Sequence, residues 1–197
     1  MTDFARRLLR LAVRMWNGAR RADLALEGPA VLYANHGSHL DTLVIWAALG
    51  DVVRPVAAAD YWGGSIRRWI AEEILGAVLI ERTADRESDP IAQMSEALRN
   101  GDVLLLFPEG TRTRPGELAD FKGGLHMVAE QVPAARLLPV YVHNTAAAWP
   151  KGTKIPLPLI CSVKVGDALP AVADEDRGSF LVRARDALLA LADGRLS

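Results

Sequence analysis

A single cysteine, Cys161, stands in 197 residues. With no partner it excludes an internal disulfide, and it offers no thiolate cluster for zinc, so a reducing compartment is the expectation. Its apolar neighbours in Leu159-Ile160-Cys161-Ser162-Val163, with no histidine or base adjoining, make it a buried strand residue rather than a nucleophile. No apolar run approaches the roughly 20 residues of a spanning helix. Arginines interrupt any signal-peptide core near the N-terminus. Internal repeats and low-complexity tracts are missing too. What is present is 50% apolar content in a length that suits one domain with a real core.

The net charge of -1 conceals an asymmetry. Residues 1–21 hold Arg6, Arg7, Arg10, Arg14, Arg20 and Arg21 against Asp3 alone, so this stretch is at +5 and the remainder at -6. At about 100° per residue, Phe4, Leu8, Leu11 and Met15 form one stripe, widened by Leu9, Ala12 and Trp16, while Arg6, Arg7, Arg10 and Arg14 share the other side. Residues 1–22 therefore form a basic amphipathic helix, and 23–197 the main domain. The helix either lies in an anionic membrane surface with Trp16 near headgroup depth, or docks on the domain with a solvated arginine face.

Beyond it, strands alternate with helices. Strands are expected at 30–34, 52–58, 77–80, 103–107, 137–143 and 160–165. Helices are expected at 41–49, closed by Gly50; at 65–75, capped by Ser65; from Ser88-Asp89-Pro90 to Asn100-Gly101; at 123–131; and after a cap near Asp174. This alternation gives an α/β fold with a largely parallel or mixed sheet flanked by helices, whose strand C-termini carry the functional loops. The proline-rich stretch 150–158 is expected as a surface excursion. Trp62, Ile66 and Trp69, beside Arg67 and Arg68, are either core or a second interfacial contact.

Two loops carry the chemistry. Asn35-His36-Gly37-Ser38-His39-Leu40-Asp41 follows the first strand, and Phe107-Pro108-Glu109-Gly110-Thr111-Arg112-Thr113 follows the 103–107 run. In the first, Asp41 at a helix start can bend back to His36, fix its tautomer and make it a general base; Ser38 has a supporting role. In the second, a carboxylate, a glycine that permits close approach, two hydroxyls and an arginine converge. Acyl transfer from a thioester to an alcohol needs such a base and no covalent intermediate.

Asn35-His36-x4-Asp41 and Phe107-Pro108-Glu109-Gly110-Thr111-Arg112 resemble the first and third motifs of the glycerolipid acyltransferase family. Gly76-x5-Arg82 looks like the second, Phe121-Lys122-x-Gly124 resembles the lysine-glycine segment, and Leu138-Pro139-Val140 resembles the fourth. The resemblance implies a catalytic dyad of His36 and Asp41, an acceptor site shaped by Glu109, Gly110, Thr111 and Arg112, and positive charge from Arg82 and Lys122. It further implies an O-acyltransferase that moves a fatty acyl group from acyl-CoA or acyl carrier protein to a lysophospholipid-like acceptor such as 1-acylglycerol-3-phosphate. The thioester serves as co-substrate with no other cofactor or metal, on the inner face of the cell membrane, peripherally and from the cytoplasm, and with no nucleic acid. Two departures stand out. Val56-Ala57-Ala58-Ala59-Asp60 lacks the lysine many members carry after the second strand, and the segment 132–139 is longer than the usual proline turn.

Two other classes remain open on the residues alone. A metal-dependent hydrolase could use His36, His39 and Asp41 with His126 or His143, although the histidines lack helical ligand spacing. A non-enzymatic membrane-binding module would use the basic helix alone.

Overall fold

Short apolar runs become strands here because helices cover both faces of the sheet they form. The computed structural model describes residues 2–20, 28–62, 64–80, 89–114, 116–150, 153, 155–170, 172 and 175–192. In chain order these give α1 (Thr2–Asn17), β1 (Ala30–Ala34), α2 (Leu40–Leu49), β2 (Val53–Ala58), α3 (Ser65–Trp69), β3 (Val78–Ile80), α4 (Pro90–Arg99), β4 (Val103–Leu106), α5 (Gly124–Gln131), β5 (Arg136–His143), α6 (Thr145–Ala148), β6 (Ser162–Val165) and α7 (Arg177–Leu189). The expected α/β class with a mixed sheet is the observed one. Among the described residues the strands run in the order β3-β2-β4-β1-β5-β6. All neighbours are parallel except β5 and β6.

Residues alternate between the two faces of each strand. Leu32, Leu105, Leu138 and Val140 pack with α2 on one face, while Val31, Tyr33, Leu104 and Leu137 pack with α4, α5 and α7 on the other. Burial on both faces explains why β1 and β4 read as continuous apolar runs.

Local chemistry sets the ends of the helices. Asp89 caps α4 by accepting the Ile91 N–H with Pro90 in the first turn, as the sequence suggests. Ser65 does not cap α3. Gly64 holds that position at φ +93, which an L side chain disfavours. The helix then loosens into a π turn over Ile70–Ile74, closed by Leu75 N–H on the Ile70 carbonyl at 3.1 Å. The last helix is capped by Asp176, whose side chain accepts the Gly178 and Ser179 N–H groups; Asp174 lies outside the described residues. Each such cap contributes about 1 kcal/mol.

α1 docks in the opposite sense to the docked helix foreseen from its sequence. Val13 and Asn17 are buried, Arg10 pairs with Asp51 at 2.7 Å and lies 5.4 Å above the Trp46 ring, and Arg6 donates to the Glu73 carbonyl at 2.9 Å. The apolar stripe faces outward instead, with Phe4 73% and Met15 78% exposed and Leu8, Leu11 and Trp16 also exposed. The cause is geometric. Arg6, Leu9, Arg10, Val13 and Asn17 share one side of the helix, and the arginine stems are apolar enough to pack while their heads reach polar groups at the edge. Ile66 and Trp69 of α3 are exposed rather than core; the side chain of Trp62 lies outside the described residues.

Candidate active site

Strand order brings the two loops together. β1 lies beside β4 with each residue opposite the one 73 positions later, Ala30 beside Val103 and Tyr33 beside Leu106. Carried past the strand ends, this register sets His36 beside Glu109. The carboxylate of Glu109 accepts the His36 main-chain N–H at 2.7 Å, and its other oxygen accepts the Ala119 N–H at 2.9 Å. Glu109 is buried, so both oxygens serve the main chain. On the other side, Asn35 extends the ladder towards β5, donating to the Val142 carbonyl at 3.0 Å and accepting its N–H at 2.8 Å.

The loop from 35 to 41 folds around one carboxylate oxygen. Asp41, fully buried near the start of α2, accepts the N–H groups of Gly37 and Ser38 and the Nδ1 of His36 through Oδ2, each at 2.8 Å. A carboxylate oxygen that accepts Nδ1–H leaves Nε2 of a neutral imidazole as the free lone pair. The ring is held from one side by Phe107, stacked at 4.1 Å and 21°. The main chain is held as well, since the Thr113 N–H donates to the His36 carbonyl at 2.8 Å and the Thr113 hydroxyl at 3.1 Å. Ser38 takes the supporting place expected of it. Its hydroxyl donates to the Trp149 carbonyl at 3.0 Å and accepts the Leu40 N–H at 3.2 Å. The arrangement fixes the orientation of the His36 ring through Nδ1.

The remaining residues singled out in sequence sort by place. Gly110 has φ +70, and a Cβ there would lie 2.8 Å from Cδ, Cε and Nζ of Lys122, so the absent side chain leaves room for the lysine to cross the loop. The main-chain N–H of Lys122 donates to the Pro108 carbonyl at 2.8 Å. Thr111 is exposed on the loop and Arg112 half-buried. His39 is held below the usual histidine value by burial first and then by the Arg112 and His36 charges, with Asp41 opposing. Arg82 lies outside the described residues. Cys161 is buried, as expected, and burial pushes its thiol up to about 11, with Asp41 adding to the shift.

The metal-ligand set offered by the sequence is not assembled. His126 sits on the opposite face of the sheet, against Phe180 and 3.2 Å from Glu130. Among the described residues, no three His, Cys, Asp or Glu side chains stand close enough to share an ion.

A cleft of about 240 Å³ opens beside the histidine, lined in part by Asn35, His36, Gly37, Thr113, Tyr141 and Asn144. The wall from 141 to 147 was not legible in sequence. It follows from Asn144, whose left-handed φ of +64 turns β5 into α6, and from the close approach of Gly37, where a Cβ would meet Ala146 at 3.2 Å. An asparagine tolerates that conformation, but its sequence position alone gives no sign of it.

Known proteins give matching results. The family model described as Acyltransferase matches residues 16–143. The 1-acyl-sn-glycerol-3-phosphate acyltransferase alpha of Mus musculus is 33% identical over 178 residues, covering 80% of this chain and 59% of that protein. The chloroplastic 1-acyl-sn-glycerol-3-phosphate acyltransferase LPAT1 of Arabidopsis thaliana is 31% identical over 129 residues, covering 65% of this chain and 35% of that protein. The chain thus spans less than two thirds of the length of either relative. In fold it is similar to the crystal structure of the 1-acyl-sn-glycerophosphate (LPA) acyltransferase, PlsC, from Thermotoga maritima, with a TM-score of 0.71 at 18% identity over 99% of this chain and 84% of that one.

Proposed function

Because this chain belongs to the Acyltransferase family, we propose that it is an O-acyltransferase that moves a fatty acyl group from a thioester donor to a hydroxyl of a lysolipid acceptor. The relatives are named for 1-acyl-sn-glycerol-3-phosphate, which supports a phosphate-bearing acceptor of that class. The observation that carries the reading is the fully buried Asp41 oxygen, which accepts His36 Nδ1 and two main-chain N–H groups at 2.8 Å each.

In the mechanism, Nε2 of His36 takes the proton of the acceptor hydroxyl as its oxygen attacks the thioester carbonyl. Asp41 orients the ring and stabilises the imidazolium. The tetrahedral intermediate collapses to the new ester by breaking the carbon–sulfur bond, and the thiolate leaves with the proton returned from His36. No bond to the protein forms. Arg112 and Lys122, on the neighbouring loop, supply cationic contacts for the acceptor's anionic group, Arg112 through a planar fork that fits phosphate bidentately. Gly110 and Thr111 shape that loop, Glu109 holds it to the His36 main chain, and Arg82 is a further cationic contact.

The donor is acyl-CoA or acyl carrier protein, and no cofactor takes part. The enzyme works peripherally on the inner face of the cell membrane, where a water-soluble thioester meets an acceptor held in a bilayer. The outward apolar stripe of α1 supports that placement. Among the described residues, no helix is long and apolar enough to cross a membrane.

The test offers purified protein one acyl thioester, as CoA and as carrier-protein conjugate, with a panel of lysolipids, and identifies products by mass spectrometry. Acylation of a lysophosphatidic acid supports the reading. Thioester hydrolysis alone, with no acylated acceptor, overturns it.

A further inference from the structure

The segment 155–160, Ile-Pro-Leu-Pro-Leu-Ile, presents four aliphatic side chains to water, Ile155 at 73% and Ile160 at 69% exposure with Leu157 and Leu159 also exposed. Most of its main-chain carbonyls, four of six, are taken up within the protein. The Pro156 carbonyl accepts the Trp16 indole N–H at 3.2 Å, the Leu157 and Leu159 carbonyls accept the buried Asn17 amide at 3.3 and 3.2 Å, and the Ile160 carbonyl accepts Asn144 at 3.0 Å. Leu157 donates its N–H to the Ala148 carbonyl at 2.6 Å, Leu159 donates to Leu157 at 2.8 Å, and the two prolines have no N–H. A loop in water has no need of this, because water satisfies its carbonyls. A loop that enters a layer poor in hydrogen-bonding partners does, since each unpaired main-chain group there is costly.

We infer that residues 155–160 form a second membrane-inserting element, seated beside the apolar stripe of α1 and entering the same bilayer. This rests on the reading of the protein as a membrane-surface enzyme. Asn17 and Trp16 tie the loop to the end of α1, and Gly18 lies against Ile160, where a Cβ would stand 3.4 Å from its side chain. The exposed Arg7, Arg14 and Arg20 lie on or just beyond the same helix, where they suit anionic headgroups. With four of its six carbonyls occupied and prolines at two of its positions, the loop also offers a poor strand edge to a protein partner. Its other attachments, Asn144 and Ala148, border α6, the wall of the cleft beside His36. Insertion of this loop therefore seats the cleft at the lipid surface.

The experiment places an environment-sensitive fluorophore on Ile155→Cys, and separately on Met15→Cys, in the full chain carrying Cys161→Ala. Each is mixed with phosphatidylcholine–phosphatidylglycerol vesicles, with and without a lipid bearing a spin label on its acyl chain. A blue shift and quenching by the spin-labelled lipid at both positions is the expected result. A shift at Met15 with Ile155 still in water overturns the loop's insertion and leaves the membrane reading intact; no shift at either position overturns both. A shift before vesicles are added, with a doubled mass in solution, makes this face a contact between two copies and also overturns the inference. Independently, Ile155→Ser with Ile160→Ser weakens vesicle affinity on the order of tenfold while turnover of a short-chain, water-soluble acceptor is unchanged. Undiminished affinity contradicts insertion.

Discussion

Glu109 holds the main-chain N–H of His36 at 2.7 Å, so a carboxylate in one loop fixes the backbone of the proposed base in the other. On the proposed mechanism it would act on the reaction through His36. Glu109→Gln keeps one accepting oxygen but turns an amide NH2 towards an N–H donor, a mismatch of about 1–3 kcal/mol in a buried site. The expected outcome is a lower kcat and a lower Tm with the acceptor KM little changed. Steady-state kinetics and thermal unfolding of the variant check this, and a change confined to the acceptor KM would show Glu109 to be a ligand contact instead.

Gly110→Ala tests the crossing of Lys122. The new methyl falls 2.8 Å from the far end of the lysine, which can swing away, and φ +70 strains the backbone by about 1–2 kcal/mol. The variant is expected to fold with a modestly lowered Tm and to lose affinity for an anionic acceptor more than for the thioester. Comparison of the two KM values decides it.

The docking of α1 separates two kinds of substitution. Leu8→Ser with Met15→Ser removes outward apolar surface, so vesicle sedimentation falls while Tm stays unchanged. Arg10→Gln breaks the 2.7 Å pair with the half-exposed Asp51 and the contact over Trp46, so it costs the small stability of a surface pair, about 0–1 kcal/mol, seen as a slight fall in Tm. A large loss of vesicle binding by Arg10→Gln at unchanged Tm would return the arginine to the membrane side.

Cys161 offers a pH-dependent check. Burial raises its thiol from 9.0 to about 11, so between these values the unfolded chain releases a proton that the folded chain keeps, and stability declines as pH rises through that window. At pH 8 the folded protein should resist a thiol reagent that modifies the unfolded chain at once, and Cys161→Ala should retain turnover. Rapid modification of active, folded protein would contradict this.

Much of this was legible in the sequence because its signals were local. The runs 30–34 and 103–107, the Asp89-Pro90 start and the His-x4-Asp spacing each fix a nearby feature. What remained hidden depends on distant partners. The Glu109 to His36 bond follows from β4 lying beside β1, a matter of strand order that no local window records. The inward turn of Arg6 and Arg10 depends on where Glu73 and Asp51 come to rest; with amphipathicity alone, either face of α1 could dock. The prolines of 150–158 pointed to a surface excursion, and that much holds for residues 155–160. The occupation of its Pro156, Leu157 and Leu159 carbonyls needed Asn17 and Trp16 from the far end of the sequence.

On the proposed mechanism, His36, oriented by Asp41, is the general base of an acyl transfer that forms no bond to the protein. The direct measurement is kcat/KM for acylation of a lysophosphatidic acid by His36→Ala and Asp41→Asn, each verified as folded by its circular dichroism and Tm. A loss of about 10²- to 10⁴-fold is expected for His36→Ala and a strong loss for Asp41→Asn. Near wild-type turnover by folded His36→Ala would contradict it.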